Sequence, residues 1–322
     1  LISSAAHIYS KPRTMTESFC FVTNKTPIEE LIGHVAWQWV LGINSLITMY
    51  PVDQYEKLAL QRLNNFTGRA GSVLTQGDFV ADVAVLYPIA SVWADFVPSS
   101  HHVSYAGDQP KARDVDTAFR EVSRELLALQ RDYDYLDEDA ICSAKIENGA
   151  IRIGKNAYRI LVLPHANVLR FDTLKQISKF IDSGGKVISY KTIPTTREDA
   201  GPADEFVQLR DRIWDKATHV ETLHSLDAAL RRCDVPDLTD SPAADEINYQ
   251  HRALPNGDAY FIVNNGDKPF TGKFLFRAAG EVQVWDPSTG AISPTASKDA
   301  KGLTADELTV PPLSGLFVVF ER

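Results

Sequence analysis

Two runs in the middle of the chain, Val80–Tyr87 (Val-Ala-Asp-Val-Ala-Val-Leu-Tyr) and Tyr158–Pro164 (Tyr-Arg-Ile-Leu-Val-Leu-Pro), are almost continuously apolar instead of alternating. A strand without a polar face has to be covered on both sides, which is how parallel sheets flanked by helices are built. The intervening segments supply the helices. Asp114 precedes a stripe of Val115, Phe119, Val122, Leu126 and Leu129 and is expected to cap that helix, and Asp172 to Asp182 reads as another, ended by Gly184-Gly185. Lys186–Tyr190 is a third strand, and Glu147-Asn148-Gly149-Ala150 centres a tight hairpin because Asn-Gly accepts the positive φ angles of such a turn. This alternation implies an open, doubly wound α/β domain over residues 77–245. The loop after its first strand, Pro88-Ile89-Ala90-Ser91, lacks the glycines of a phosphate cradle, and no Walker or dinucleotide fingerprint occurs, so neither nucleotide nor flavin is expected.

The first 76 residues follow a different plan. Arg13–Phe19 reads as a short strand carrying Glu17 near its end. Thr26-Pro27-Ile28-Glu29 then has the form of a capping box with proline at the first helical position, so a helix is expected from Thr26. Ile28, Leu31, Ile32, Val35, Ala36 and Trp39 form its apolar stripe, Gly42 supplies the stop, and Ile43–Tyr50 reads as the next strand. Strand, helix and strand in this order make a parallel pair, and a helical connection is expected over about 52–76. Two strands cannot close a barrel of eight, so the segment is expected to be the end of a TIM barrel. The opening Leu1-Ile2-Ser3-Ser4-Ala5-Ala6-His7, with no initiator methionine and no charged or apolar leader region, leads to the expectation that the chain is the C-terminal part of a longer polypeptide. A carboxylate at the carboxyl end of a barrel strand faces the mouth where active sites assemble, which makes Glu17 the candidate catalytic residue, although on spacing alone a lone strand glutamate is usually a solvated or salt-bridged surface group. Tyr50, ending the second strand, is a candidate substrate contact or a packing residue. His7 is another candidate contact, with a helix-terminal role as the competing use of its ring. Trp39 is expected to pack, while Trp37 is expected to face another domain.

From about Glu246 to Arg322 helix signals give way to short strands at Ala259–Val263, Gly272–Arg277, Glu281–Trp285 and Ser314–Phe320. They are separated by turn sequences such as Asn264-Asn265-Gly266-Asp267 and Pro287-Ser288-Thr289-Gly290, and a small β-sandwich is expected, with Trp285 in its core. The formal net charge of −9 and the lack of a lysine and arginine stripe argue against nucleic acid, and no apolar run is long enough for a membrane span. Cys20, Cys142 and Cys233 are odd in number and widely spaced, so they read as buried small side chains and not as a disulfide framework or zinc site. His101-His102 lacks ligand spacing, and the acidic stretch Asp132–Asp139 lacks the pattern of a calcium loop and reads as a solvated edge.

Several segments in this order resemble one family. Ser4-Ala5-Ala6-His7-Ile8-Tyr9-Ser10-Lys11-Pro12, Thr16-Glu17-Ser18-Phe19, Trp37-Gln38-Trp39 with Gly42-Ile43-Asn44, Val80–Pro88, Val284-Trp285-Asp286-Pro287-Ser288-Thr289-Gly290 and Pro311–Phe320 are similar to the glycoside hydrolase family 106 α-L-rhamnosidases. A looser similarity links the chain to the family 42 β-galactosidases, which follow the barrel with a flavodoxin-like domain. The chain departs from the family 106 pattern at Ser10 and Thr48, where glycine and histidine are usual. The resemblance implies a two-carboxylate hydrolysis of a carbohydrate substrate, a flavodoxin-like character for the doubly wound domain, and Glu17 as the general base of an inverting rhamnosidase, or as the nucleophile of a retaining enzyme if the galactosidase likeness governs. Its partner acid would lie outside the chain. The resemblance also implies a periplasmic or secreted setting, a calcium dependence with no ligand assignable to a numbered residue, and room for a homo-oligomer or for a non-catalytic assembly or carbohydrate-binding role.

Overall fold

The computed structural model describes residues 1–20, 22–23, 25–49, 55–97, 109–199, 203–233, 236–241, 244–295, 298–300 and 303–322. The chain forms two compact units, a central one from Ala81–Leu129 and Tyr133–Val235 with Leu1, and a terminal one from Ile2–Val80, Gln130–Asp132 and Pro236–Arg322. Where the pattern of residues suggests three segments in line, the first and last therefore belong to one body.

The terminal unit opens with α1 (Ile2–Ile8), β1 (Met15–Ser18), α2 (Ile28–Val40), β2 (Ser45–Thr48), α3 (Lys57–Leu74) and β3 (Asp78–Phe79). β1 and β2 pair in parallel with α2 as their crossover, setting Glu17 beside Ile47. Helix α2 ends as its sequence suggests. Gly42 has φ 90°, its N–H donates to the Trp39 carbonyl, and the Ile43 N–H donates to the Gln38 carbonyl, the two bonds of a Schellman motif. The start differs: the helix begins at Ile28 with no side-chain cap. The Thr26 hydroxyl instead accepts the Thr23 N–H at 3.3 Å, so the expected capping box does not form.

The central unit runs through β4 (Val83–Leu86), α4 (Ile89–Asp95), α5 (Pro110–Ala128), β5 (Tyr133–Leu136), α6 (Glu138–Ser143), β6 (Lys145–Glu147), β7 (Ala150–Ile153), β8 (Asn156–Tyr158), β9 (Ile160–Pro164), β10 (Val168–Leu169), α7 (Phe171–Asp182), β11 (Lys186–Tyr190), β12 (Thr196–Arg197), α8 (Ala203–Trp214), β13 (Thr218–Val220) and α9 (Leu223–Cys233). Its main sheet has the order β13-β11-β9-β4-β5 and is parallel throughout. Counted along the chain this is 2-1-3-4-5, in which the winding direction reverses between β4 and β9. Both of those strands are buried at every position. Val83, Val85, Ile160, Val162 and Ile188 meet Val122 and Leu126 of α5 and Leu226 and Leu230 of α9 on one face. The β6–β7 hairpin has Asn148 and Gly149 at φ 52° and 69°, as its sequence requires.

Two readings are corrected here. Helix α5 starts four residues before Asp114, with Pro110 in the first turn, so Asp114 lies inside the helix and does not cap it. The Asp132–Asp139 stretch is not a solvated edge: it contains β5, and Asp134 and Glu138 are only 1% and 7% exposed. Asp134 is held by the Tyr158 hydroxyl at 2.7 Å, and Asp137 caps α6 by accepting the Ala140 N–H at 2.7 Å. The cysteines differ as well. None of the three forms a disulfide; Cys20 is exposed, Cys142 is partly exposed, and Cys233 is partly buried against the core of the central unit.

The terminal unit resumes with β14 (Leu238–Ser241), β15 (Ile247–Leu254), β16 (Gly257–Asn264), β17 (Phe270–Phe276), β18 (Glu281–Trp285), β19 (Ile292–Pro294), β20 (Lys298–Ala300), β21 (Leu303–Val310) and β22 (Ser314–Glu321). They form sheets of order β14-β17-β21-β20 and β19-β18-β22-β16-β15-β3. Tyr260, Ile262, Val318 and Phe320 project from the larger sheet onto Phe274, Phe276 and Val310 of the smaller. The opposite residues of the same strands, Ala259, Phe261, Val263, Phe317 and Val319, pack with Leu31, Val35 and Trp39 of α2 and Phe66 of α3. The unit is thus three layers deep: helices, sheet, sheet. Among the described residues no helix is long and apolar enough to cross a membrane.

A buried charge cluster ties this unit together. His251 on β15 bonds Asp237 at 2.6 Å through Nδ1 and Asp258 at 3.0 Å through Nε2, and its ring stacks on Tyr260. Arg277 Nε donates to Asp237 at 2.9 Å, and Arg322 donates to Asp258 at 2.6 Å. Burial alone would push the imidazole down, but the two carboxylates overcome it and hold His251 up to about 9. Burial is the largest influence on Asp237 and opposes its charged form, yet His251, Arg277 and the Tyr260 hydroxyl together outweigh it and its pKa is lowered. Asp258 is lowered by its hydrogen bond to His251 and by Arg322. The histidine's contribution to stability is full below its unfolded value of about 6.5 and is lost as pH rises through about 9; that of the two aspartates is full above their unfolded value of about 3.9 and is lost as pH falls below it. Thermal melts across pH should therefore show a plateau on the weakly acidic to neutral side and a decline toward pH 9. His251→Leu should abolish the alkaline decline and, by removing the cation between two buried carboxylates and leaving them only Arg277 and Arg322, destabilise by about 3–5 kcal/mol. A flat alkaline profile in the unsubstituted chain would contradict this assignment.

Candidate functional site

The candidate site is built on the β1–β2 pair. Successive side chains of a strand point to opposite faces. Ser18 donates its hydroxyl to Gln38 Oε1 of α2 at 2.9 Å, and Leu46 joins the helix-lined core, which fixes the helical side of the pair. Met15, Glu17 and Ile47 accordingly lie on the other side. Among the described residues nothing covers that face: Glu17 is exposed, Met15 and Ile47 are 52% and 47% exposed, and Met49 just beyond β2 is 54% exposed. β1 and β2 have no strand partner other than each other among the described residues.

Both ends of β1 are fixed. At its start Asn44, just before β2, accepts the Thr14 N–H on Oδ1 and donates Nδ2 to the Pro12 carbonyl, each at 3.0 Å. At its end Phe19 takes φ 69° while its side chain is buried in the helix-lined core, a left-handed turn costly for a non-glycine residue and kept by the packing of its ring. The Met49 N–H donates to the Ser18 carbonyl at 2.9 Å, extending the parallel ladder past β1. The backbone holding Glu17 is therefore determined on both sides. Its carboxylate has no hydrogen-bond or ion-pair partner among the described residues, so it is uncommitted and open to water or ligand.

The other candidate residues are placed differently. His7 sits in the last turn of α1 and stacks on Phe79 with ring centroids 4.2 Å apart, so its ring is packed, and it shares no hydrogen bond with Glu17. Tyr50 and the His101-His102 pair lie outside the described residues. Trp39 is buried in the helical layer, and Trp37 is exposed. Trp285 is partly buried at the rim of a cavity of about 220 Å³ that also has Arg69 and Asp286 in its wall, a lining that the turn sequence alone does not reveal. Arg69 donates to the Pro287 and Ser288 carbonyls at 3.0 and 2.9 Å, clamping that turn to α3. Among the described residues no group of three or more His, Cys, Asp or Glu is arranged to hold a metal ion, so the calcium implied by resemblance has no ligand set there.

Comparison with known proteins identifies the family. The model of the α-L-rhamnosidase family, glycoside hydrolase 106, matches residues 2–298. The chain belongs to that family. A curated relative from Formosa agariphila, named "Putative beta-glucuronidase", is 26% identical over 353 aligned positions, covering 100% of this chain and 28% of its own length. The rhamnosidase structure from Novosphingobium sp. PP1Y superimposes with a TM-score of 0.75 at 18% identity, over 99% of this family 106 chain and 32% of that one. A β-galactosidase from Bacillus circulans sp. alkalophilus reaches a TM-score of 0.65 at 12% identity, over 98% and 57%. At these identities the two structures speak for fold. The chain spans less than a third of the relative and of the rhamnosidase structure.

The Asn44 bridge predicts a measurable cost. Asn44→Ala leaves the buried Thr14 N–H without an acceptor and should destabilise by about 1–3 kcal/mol, read as a lower urea midpoint at unchanged slope. An unchanged midpoint would mean that the bridge does not hold the start of β1.

Proposed function

We propose that this chain is the C-terminal part of a glycoside hydrolase that cleaves α-L-rhamnosides, in which β1 and β2 are the last strands of a (β/α)8 barrel and Glu17 is the general base. The observation that carries the reading is the uncommitted Glu17 carboxylate on the side of β1 away from α2, flanked by Met15 and Ile47. In a barrel the helices lie outside and the opposite strand faces form the interior, so the side bearing Glu17 would be the inner one. Apolar side chains left half exposed beside unpaired strand edges fit a sheet that neighbouring strands complete. The central unit, with its 2-1-3-4-5 parallel order, corresponds to a flavodoxin-like domain, and the two antiparallel sheets to the β-sandwich that follows it.

Hydrolysis of a glycosidic bond through an oxocarbenium-like transition state needs an acid to protonate the leaving oxygen and a second carboxylate to handle the anomeric carbon. Glu17 would remove a proton from the water that attacks that carbon, and the acid would come from an earlier strand outside this chain. For inversion the two carboxyl groups stand about 6.5–9.5 Å apart, leaving room for the water. The fold likeness to a β-galactosidase keeps one second reading in view, a retaining reaction with Glu17 as nucleophile at about 5–5.5 Å from the acid.

In the full-length parent enzyme, Glu17→Gln should lower kcat on an aryl α-L-rhamnoside by about 10²–10⁴-fold with little change in KM. Proton NMR of the first-released sugar distinguishes the readings, the inverted anomer supporting the general base and the retained one the nucleophile. Turnover unaffected by Glu17→Gln would remove Glu17 from the chemistry.

A further inference from the structure

The central unit carries a cleft of about 840 Å³ at the carboxyl ends of β9, β11 and β13, remote in sequence from Glu17 and not needed for its chemistry. Its wall includes Ala94 and Asp95 from the segment after β4 and Asn167 and Val168 from the segment after β9, the two strands between which the winding reverses. That is the place where open parallel sheets receive ligands. The residues that leave β9 and β11, His165 and Lys191, both have left-handed backbones, at φ 47° and 67°. Their N–H groups nevertheless donate to the Tyr190 and Val220 carbonyls at 2.9 Å, so the turns are locked to the neighbouring strands. Conformations of this kind cost on the order of 1–3 kcal/mol each and gather where a fold shapes a site.

The chemistry of the wall selects the ligand. Its cations are each matched by an acid: Lys191 with Glu121 at 2.7 Å, Lys111 with Asp95 at 3.5 Å, and His219, when protonated, with Glu221 at 2.6 Å. A phosphate or carboxylate would have to displace one of these acids, and Pro88-Ile89-Ala90-Ser91 gives no glycine cradle in compensation. What remains is neutral. Thr192 donates its hydroxyl to Asn167 Oδ1 at 2.8 Å, which orients the Asn167 amide and leaves its NH₂ without an acceptor among the described residues. The Ser91 hydroxyl accepts the Asn167 and Val168 N–H groups at 2.9 and 3.0 Å, holding that loop in place. Trp214 adds an aromatic ring to the wall, and its Nε1–H is buried with no acceptor among the described residues. An aromatic ring in the wall, an oriented amide and nearby hydroxyls suit a ligand with an apolar C–H face and many neutral hydroxyls.

We propose that this cleft is a second binding site, specific for a neutral saccharide and separate from the hydrolytic one. The choice of sugars rests on the hydrolase reading above; the cleft and its charge balance do not. The test is isothermal titration of the full chain with L-rhamnose, methyl β-D-galactoside and lactose, and in parallel with inorganic phosphate and flavin mononucleotide. Saturable binding of at least one neutral sugar is expected, weakened about tenfold by Trp214→Leu, which removes the aromatic ring, and similarly by Asn167→Ala, each variant checked for an unchanged melting midpoint, and unaffected by Glu17→Gln. A tenfold loss corresponds to about 1.4 kcal/mol, the scale of one hydrogen bond. No saturation with any of the three sugars, sugar affinities untouched by both cleft substitutions, or tighter binding of phosphate or the flavin nucleotide would each overturn the proposal. Weakening by Glu17→Gln would place the sugar at the β1–β2 rim and overturn it too. Because this readout is binding to the chain and not turnover of the parent enzyme, it separates failure of the cleft from failure of Glu17.

Discussion

The terminal unit depends on one sheet being apolar on both faces. β16 and β22 are paired along their full lengths, and nearly every residue of both is buried. Phe261 stacks on Phe317 with centroids 4.5 Å apart on the side of α2 and α3, while Tyr260 meets Phe276 and Phe320 edge-on at 5.1 and 5.7 Å on the other side. The strands approach so closely that a Cβ on Gly315 would stand 2.7 Å from the Ile262 carbonyl oxygen. The last residues of the chain thus form the floor on which the first helices rest. Ser18 is bonded to α2 and Leu46 packs into the same core, so the strand holding Glu17 takes its position from residues some three hundred positions later in the sequence. A mutation in the β-sandwich can therefore reach the candidate catalytic strand through packing alone.

How much of this could be read from the residues depends on how polarity is used. β4 and β9 were legible because strands covered on both faces show nothing but apolar side chains over several positions, and β11, Lys-Val-Ile-Ser-Tyr, because a Val-Ile pair follows the Gly184-Gly185 stop of α7. The Asn148-Gly149 hairpin and the Gly42 stop were legible because the backbone angles they need exclude most other residues. β5 and β15 were not. β15 reads Ile-Asn-Tyr-Gln-His-Arg-Ala-Leu, and six of its eight residues are buried, four of those six being polar. His251 and Arg252 survive burial because Asp237, Asp258 and the Gln76 and Gly77 carbonyls meet their side chains from distant parts of the chain, and Asn248 is met by Asn265; the Gln250 amide is buried with no partner among the described residues. A partnered buried acid and a solvated one are the same letter. The helices α8 and α9 carry only a few fully buried side chains each, which weakens the periodic signal.

The site was legible in position and not in surroundings. Glu17 falls on a strand of the expected parallel pair, but local pattern could not show that Asn44 and Phe19 fix its backbone, since both act through contacts that depend on the turn geometry. His7 illustrates the opposite case. Its place at the end of α1 was expected, yet whether its ring met Phe79 or a substrate depended on β3 joining the edge of a sheet formed by C-terminal strands. The lining of the central cleft was hidden for a related reason: Asn167, Lys191 and Trp214 leave three different elements, and only the parallel order of the sheet gathers them.

Membership in family 106 and the freedom of the Glu17 carboxylate lead to one physical requirement. A carboxylate in open water is surrounded by a solvent that screens it and competes for it, and a single such group cannot both donate and accept the protons that glycoside hydrolysis moves. The β1–β2 pair supplies one accurately held carboxylate and a half-exposed apolar surface around it. Walls that cover Met15 and Ile47 would lower the local dielectric, strengthen the interaction of Glu17 with an attacking water and with the developing positive charge, and bring the second carboxyl group into place. On the proposed reading, the exposure of the strand pair and the need for a second carboxyl group would have the same remedy, since strands that extend the sheet would also bring the acid–base partner.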